Sequence, residues 1–386
     1  MKILIVSTVQ TNPTTSGSAR FINSYAAMLR DMGHHVYFLH APLVYRNSDA
    51  IKTGIVESRK FWGNDYFLYR IGIINMLKIK ALECYYRYCQ NYYSQCDVWY
   101  IWGLHKYVNA LNAKYEFDVC LINYYWLTKL FPKINIPLKG LVSHDCFTFN
   151  NERNGTHSLL NLKPNEEAKA LQRCPYIFAM QEEEKIYFER LAPKSKVLVS
   201  YCIYHFTNQR LAYNHNLVLL SSAFQLNISG LKWFINDIFP GIISAFPDCK
   251  LLIGGTICSK LEYLKTNPNI ELIGFVEDAA NLYAQGDVAI NPTYQGTGMK
   301  IKTFESIAYN KITMVHPHSM AGIYKKEIAP LFYSTCSKDW VDFLRKVWKY
   351  DEFSLSIRKN NEQYINSLNQ FVKSQFEIFI KNGHDE

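Results

Sequence analysis

Asn291-Pro-Thr-Tyr-Gln-Gly-Thr-Gly-Met-Lys-Ile-Lys-Thr-Phe-Glu305 is the stretch on which the reading of the fold turns. A short apolar run, Val288–Asn291, leads into it and reads as a buried strand. A loop of small residues follows, Gly296, Thr297 and Gly298, and a helical pattern begins near Lys300 and continues over Lys302–Tyr309. Ile312–Val315 is the next strand. Strand, loop, helix and strand in that order form the repeating unit of a parallel, doubly wound α/β sheet. Small loop residues let backbone N–H groups approach an anion, and a helix N-terminus adds a favourable dipole. Lys300 and Lys302 bring positive charge to the same place, and the Glu305 carboxylate can accept hydrogen bonds from both hydroxyls of a ribose. Local physics leaves two readings, a diphosphate site or a glycine turn followed by a solvated lysine pair.

The same unit recurs outward from this stretch. Upstream lie a strand at Leu217–Leu220, a polar loop at Ser221–Gly230, a helix at Leu231–Phe246, and strands at Lys250–Ile253 and Ile270–Ile273. The chain opens with a strand at Lys2–Ser7, a polar loop from Thr8 to Gly17, a helix at Ala19–Met32 stopped by Gly33, and a strand at Val36–Leu39. Further strands are expected at Asp118–Asn123, Gly140–Ser143 and Tyr176–Ala179, with helices at Glu166–Leu171 and Glu182–Leu191. Composition turns polar at Phe206–Asn216, which marks a boundary. A helical region from Lys338 to Lys381 is long enough to return to the first half. The expected organisation is an N-terminal domain at 1–206, a second domain at 216–365, and a terminal helix at 366–386 packing back on the first. A chain of 386 residues suits two such domains.

Hydrophobic content of 48% against 19% charged residues fits a globular protein with a sizeable core. The net charge of +9 suits partners that carry phosphate or lie on an anionic membrane. The opening run Met1–Val6 is too short for a signal peptide, and no stretch of about 20 apolar residues is present, so a cytoplasmic compartment is expected. The ten cysteines form no CxxC pair and no zinc spacing, and are expected as reduced thiols. From Tyr69 to Tyr107 the chain is basic and aromatic, with a helix expected at Asn75–Tyr93. That composition suits contact with an anionic membrane interface, single-stranded nucleic acid, or a plain layer of packed tyrosines with solvated lysines.

Two further segments sit at strand ends, where doubly wound sheets place their ligands. Val142-Ser-His-Asp-Cys-Phe147 presents His144 and Asp145, either toward a ligand or as a turn with a capping Asp and an exposed His. Ser16-Gly17-Ser18-Ala19-Arg20 follows the first strand, and Gly17 there permits a tight turn. The segment lacks the GxGxxG fingerprint, which argues against a nicotinamide enzyme.

Gly296-Thr-Gly-Met-Lys-Ile-Lys-Thr-Phe-Glu-Ser-Ile-Ala308 resembles the donor-site motif of GT-B glycosyltransferases, specifically the large retaining family four and its GTGxKxK-type subgroup. Ile273-Gly-Phe-Val-Glu-Asp278 resembles that family's loop packing on the nucleotide base, read by main-chain groups near Val276. Leu220-Ser-Ser-Ala-Phe-Gln-Leu-Asn227 and Gly230-Leu-Lys-Trp-Phe234 resemble the opening of its C-terminal domain. The resemblance implies two Rossmann-like domains facing a central cleft, the first binding a glycan or lipid-linked acceptor and the second a nucleotide-sugar donor. It implies donor contacts from Gly17, Ser222, Asn227, Val276, Gly296, Thr297, Gly298, Met299, Lys300, Lys302 and Glu305, and a catalytic role for His144 and Asp145. The implied chemistry is transfer to a hydroxyl, with retention, in surface polysaccharide synthesis. No metal and no cofactor are expected, the nucleotide base stays open between UDP, GDP and others, and nucleic acid is not an expected partner.

Two departures qualify this. Many relatives carry an additional glutamate upstream of the one matching Glu305, and here that place falls near Thr297. Many also carry Arg and Lys in the loop where this chain has Ser222 and Asn227, which leaves phosphate neutralisation to Lys300 and Lys302. A nucleotide-sugar epimerase on the same fold, or a catalytically silent partner subunit, are the rival readings.

Overall fold

Strands of a parallel sheet are covered on both faces, so they read as unbroken apolar runs and bury nearly every side chain. The chain's apolar runs behave this way in the computed structural model, which describes residues 1–14, 16–43, 48–209 and 212–382. Two units result, Met1–Ile203 together with the chain from Phe371 onward, and Tyr204–Gln370. The expected loop at Thr8–Gly17, boundary at Phe206–Asn216, and terminal segment at 366–386 each include residues outside the described ones: Thr15, then 210 and 211, then 383–386.

Among the described residues the first unit holds seven strands: β1 (Lys2–Ser7), β2 (His35–His40), β3 (Tyr66–Leu68), β4 (Val119–Asn123), β5 (Leu138–Val142), β6 (Tyr176–Ala179) and β7 (Lys196–Val199). Their order is β3-β2-β1-β4-β5-β6-β7, every pair parallel. The second unit holds β8 (Leu217–Leu220), β9 (Leu251–Gly254), β10 (Ile270–Gly274), β11 (Val288–Asn291), β12 (Ile312–Val315) and β13 (Leu331–Tyr333). Their order is β10-β9-β8-β11-β12-β13, again all parallel. Strand order reverses between β1 and β4 in one sheet and between β8 and β11 in the other. Loops at the C-terminal ends of strands beside such a reversal diverge and leave a crevice.

Several elements differ from expectation. β3, β7 and β13 are sheet edges of three or four residues, too short to announce themselves by pattern. The polar loop expected at Ser221–Gly230 ends early, because a helix already begins at Gln225. That helix runs Gln225–Trp233, passes through a π-helical segment at Phe234–Ile238 and continues to Ala245. Gly230 disguises it: a Cβ there would sit 2.7 Å from the Pro292 carbonyl oxygen and 2.8 Å from the Thr293 Cα. The glycine is kept for close approach to the loop after β11, at a cost in helix propensity. The basic aromatic region holds the helix Ile73–Tyr88 and the start of the helix Leu104–Tyr115, and the helix Ser48–Trp62 and β3 precede it. The helix expected to reach Tyr93 stops at Tyr88, and Asn91 and Tyr92 then turn through positive φ.

The C-terminal region breaks at Tyr350 into helices Ser337–Lys349 and Asp351–Asn382. The last turns belong to the first unit. Phe376 is fully buried there, stacked on Phe178 at 4.4 Å and on Tyr25 at 5.8 Å. Gly140 on β5 leaves room for the Phe379 ring, which a Cβ would approach to 3.2 Å. Among the described residues no helix is long and apolar enough to cross a membrane.

Candidate functional site

In the second unit the candidate site forms where β8, β11 and β12 end side by side. Residues 292–300 leave β11 as a loop, and the helix Ile301–Ala308 follows. Gly296 turns the loop at φ +97°, where a side chain would be strained. Its carbonyl oxygen receives two donors, Lys300 Nζ at 2.8 Å and His318 Nε2 at 2.8 Å. Lys300 is buried, so its stem packs while the ammonium is held at the start of the helix. Lys302 Nζ donates to Ser221 Oγ at the end of β8, 2.6 Å away. Glu305 lies on the same helix, with the Tyr283 hydroxyl 3.5 Å from its Oε2. Beneath the loop, Asn291 Nδ2 donates to Thr303 Oγ1 at 2.9 Å and ties the strand end to the helix. Gly296, Lys300, Lys302 and Glu305 are thus gathered around one helix start, with Thr297, Gly298 and Met299 half-buried between them.

The remaining donor-site expectations are placed differently. Asn227 Nδ2 donates to the Ser222 carbonyl at 3.1 Å and to its Oγ at 3.0 Å, so this pair closes the loop after β8 upon itself. Ser221 is the residue of that loop that meets Lys302. Val276 is half-buried over Leu252 and Leu282, where Gly254 makes room for it. Gly17 makes no positive-φ turn; it is the first residue of the helix Gly17–Asp31, whose cap is Ser16, accepting from Ala19 N at 3.2 Å.

In the first unit, β4 and β5 are each followed within two residues by a positive φ, Tyr124 at +71° and His144 at +70°. Such backbone costs energy in non-glycine residues and is held by its surroundings. Here the two rings stack at 4.0 Å, and the Tyr124 hydroxyl donates to Ser18 Oγ at 2.6 Å. Asn123 Nδ2 donates to the Val6 carbonyl at 3.1 Å, which leaves Oδ1 as the acceptor. That oxygen receives the Tyr25 hydroxyl at 3.0 Å and His144 Nε2 at 2.8 Å. His144 therefore carries its proton on Nε2 and offers Nδ1 as an acceptor. Burial pushes its pKa down to about 3, so the ring is neutral.

Asp145 caps its own turn. Its Oδ1 accepts from Cys146 N at 2.8 Å, and burial pushes its pKa up to about 6. Glu184 is raised well above the carboxylate range by burial and by the neighbouring Asp145. The two buried carboxyls oppose each other's ionisation, and Arg153 favours the charge on Asp145. Glu167 anchors the same turn by accepting from Phe147 N at 2.8 Å and Thr148 N at 2.9 Å. Among the described residues no group of three His, Cys, Asp or Glu side chains is arranged to hold a metal ion.

Ser221, His316 and His318 went unnoticed in the sequence. His316 follows β12, donates its N–H to the Asn291 carbonyl at 3.1 Å, and lies edge-on to Trp233 at 4.8 Å. His318 N donates to His316 Nδ1 at 3.0 Å, and burial lowers the His316 pKa. The available signal was position: His316 immediately follows a strand that pairs with β11.

Residues 215–347 match the family described as Glycosyl transferases group 1, so the second unit carries a domain of that group. Sucrose-phosphate synthase from Thermosynechococcus elongatus superposes with a TM-score of 0.64 at 12% identity, over 99% of this chain and 98% of that one. The pneumococcal O-GlcNAc transferase GtfA, solved with UDP and GlcNAc, gives 0.66 at 10% identity over 100% and 99%. Anabaena HepE, solved with UDP and glucose, gives 0.60 at 13% identity over 98% and 99%. The fold is GT-B. No curated protein matches the chain in sequence. In this GT-B chain the matched family domain spans β8 to β13, so it contains the Gly296 loop, both lysines and Glu305.

Proposed function

We propose that this GT-B chain transfers a sugar from a nucleoside-diphosphate sugar to a hydroxyl of a glycan or lipid-linked acceptor, with retention and without a metal. The reading rests on one arrangement: two lysines and a helix N-terminus meeting at the end of β11, with a carboxylate further along that helix. Breaking the bond between sugar and diphosphate leaves negative charge on the leaving phosphate. In this reading Lys300, Lys302 and the positive end of the helix Ile301–Ala308 receive it. Glu305 accepts from the ribose hydroxyls, and main-chain groups near Val276 meet the base. UDP is the first choice of nucleotide, because the structural neighbours GtfA and HepE were solved with it. His144 serves the acceptor side as a neutral hydrogen-bonding residue, with Asp145 shaping the turn behind it. Thr297, where many relatives carry an acid, leaves the donor sugar with fewer carboxylate contacts. The pathway proposed is surface polysaccharide or glycoconjugate synthesis.

Calorimetric titration with UDP tests the site. Lys300→Ala, Lys302→Ala and Glu305→Ala are each expected to weaken binding by about tenfold or more, given the strength of hydrogen bonds to charged groups. Unchanged affinity in all three, with circular dichroism showing intact folds, would overturn the assignment. Incubating donor without acceptor separates the chemistry: conversion of the intact donor to an epimer rules out transfer as the activity.

A further inference from the structure

The helix Ile73–Tyr88 of the first unit packs on the core through Ile79 and Tyr86. Glu83 is buried beside them and accepts from Trp99 Nε1 at 2.6 Å. The opposite face is apolar and uncovered. Ile73 is 70% exposed, Ile74 76% and Leu77 63%, and Tyr88 extends the same stripe at 78%. At 100° per residue these side chains lie within about a third of the helix circumference. Isolated exposed apolar residues are ordinary, but a contiguous aliphatic stripe on one helix marks an interaction surface.

Charge identifies the occupant. From Arg70 to Cys96 the only acidic residue is Glu83, which faces inward, while Arg70, Lys80 and Arg87 are exposed. Trp102 sits at the rim, half exposed, with Lys78 Nζ 4.0 Å over its ring. Asn75 Nδ2 holds the Trp102 carbonyl at 2.9 Å, so the indole is fixed beside the stripe. Aliphatic side chains at the centre, an indole at the rim and cations around them match the layering of a lipid surface: hydrocarbon, interface, anionic headgroups. Single-stranded nucleic acid would call for aromatic rings where Ile73, Ile74 and Leu77 stand. The helix has 16 residues, shorter than the roughly 20 needed to span a bilayer, so it lies in the interface.

We infer that the outward face of the helix Ile73–Tyr88, with Trp102, docks this protein on an anionic lipid surface. This deepens the proposal of a lipid-linked acceptor, but the readout is lipid binding and not transfer, so the two ideas fail separately. The experiment is co-sedimentation of the full chain with vesicles of phosphatidylcholine alone and with added phosphatidylglycerol. The wild type is expected to sediment with the anionic vesicles, less so as salt rises, and hardly at all with phosphatidylcholine alone. Ile74→Ser with Leu77→Ser removes the apolar contact, and Lys80→Glu with Arg87→Glu removes the charge. All four positions point outward, so the core is untouched. Each pair is expected to reduce partitioning by about tenfold or more. The inference is overturned if the wild type ignores anionic vesicles or if both double variants bind as well as it does. It is equally overturned if an oligonucleotide displaces the vesicles stoichiometrically, or if light scattering shows a dimer that the Ser variants dissociate.

Discussion

Gly296 is held by two donors on one carbonyl, and the two are not equivalent. Lys300 belongs to the loop's own helix, whereas His318 reaches it from the segment after β12. Removing His318 leaves the charge in place but frees the Gly296 peptide, whose φ of +97° orients the following N–H groups. His318→Ala is therefore expected to weaken UDP binding by about three- to tenfold, the worth of one net hydrogen bond. Calorimetry at constant pH checks it, and an unchanged affinity would show that Lys300 alone positions the loop.

The buried carboxyl pair makes a second prediction at this scale. Asp145 and Glu184 hold a proton that both would lose in the unfolded chain near the ordinary carboxylate range. Because their folded pKa values are raised, the stabilisation is complete below that range; it falls as pH rises through about 6, the value at Asp145, and falls further at higher pH as Glu184 ionises. His144 works in the opposite direction: with its pKa lowered to about 3, its contribution is complete above the ordinary histidine range and is lost as pH falls toward that value. Glu184→Gln removes the coupled titration while keeping the shape. Urea midpoints measured at pH 5 and pH 8 should differ less in this variant than in the wild type. Equal pH dependence would mean that Glu184 and Asp145 do not titrate against each other.

At the scale of elements, glycines decide how closely loops approach at the site. Gly255 follows β9 with φ +99°, and a Cβ on it would fall 2.2 Å from the Ser221 carbonyl oxygen. Ser221 is the partner of Lys302, so this contact sets the loop that the lysine meets. Gly255→Ala combines backbone strain with overpacking and should cost roughly 2–4 kcal/mol. A chemical-denaturation midpoint indistinguishable from the wild type would contradict this. The Gly230 contact with Pro292 and Thr293 shows the same logic in a helix. There it also explains why the sequence pattern suggested a loop: a glycine among Asn and Ser residues looks like a turn until its neighbour is seen.

At the scale of the molecule, the end of the chain completes the core of its beginning. Phe376 and Phe379 are almost fully buried against β5, β6 and Tyr25 of the first unit. Phe376→Ala should cost about 3–5 kcal/mol, as for other buried aromatic truncations. The loss should appear as earlier unfolding of the first unit, measurable by hydrogen exchange at β1, β4 and β6. Exchange at β8 and β11 should change far less, and a uniform effect on both units would refute this division.

The succession of strand and helix was legible in the sequence, because buried parallel strands and amphipathic helices carry their periods locally. Lys2–Ser7, Val288–Asn291 and Ile312–Val315 show this most clearly. The meeting of glycine loop, Lys300, Lys302 and Glu305 at one helix start was also legible, since those residues are neighbours along the chain. The edge strands β3, β7 and β13 were not, because three or four residues with one pairing partner leave almost no pattern. Nor were the partnerships of Lys302 with Ser221, of His318 with Gly296, and of Asp145 with Glu184, which join residues from different strand ends. Local sequence determines which backbone forms and which surface it buries. Which polar side chains then face each other, and which proton they keep, is set by strand order and by the low dielectric of the packed interior, and only the tertiary structure supplies both.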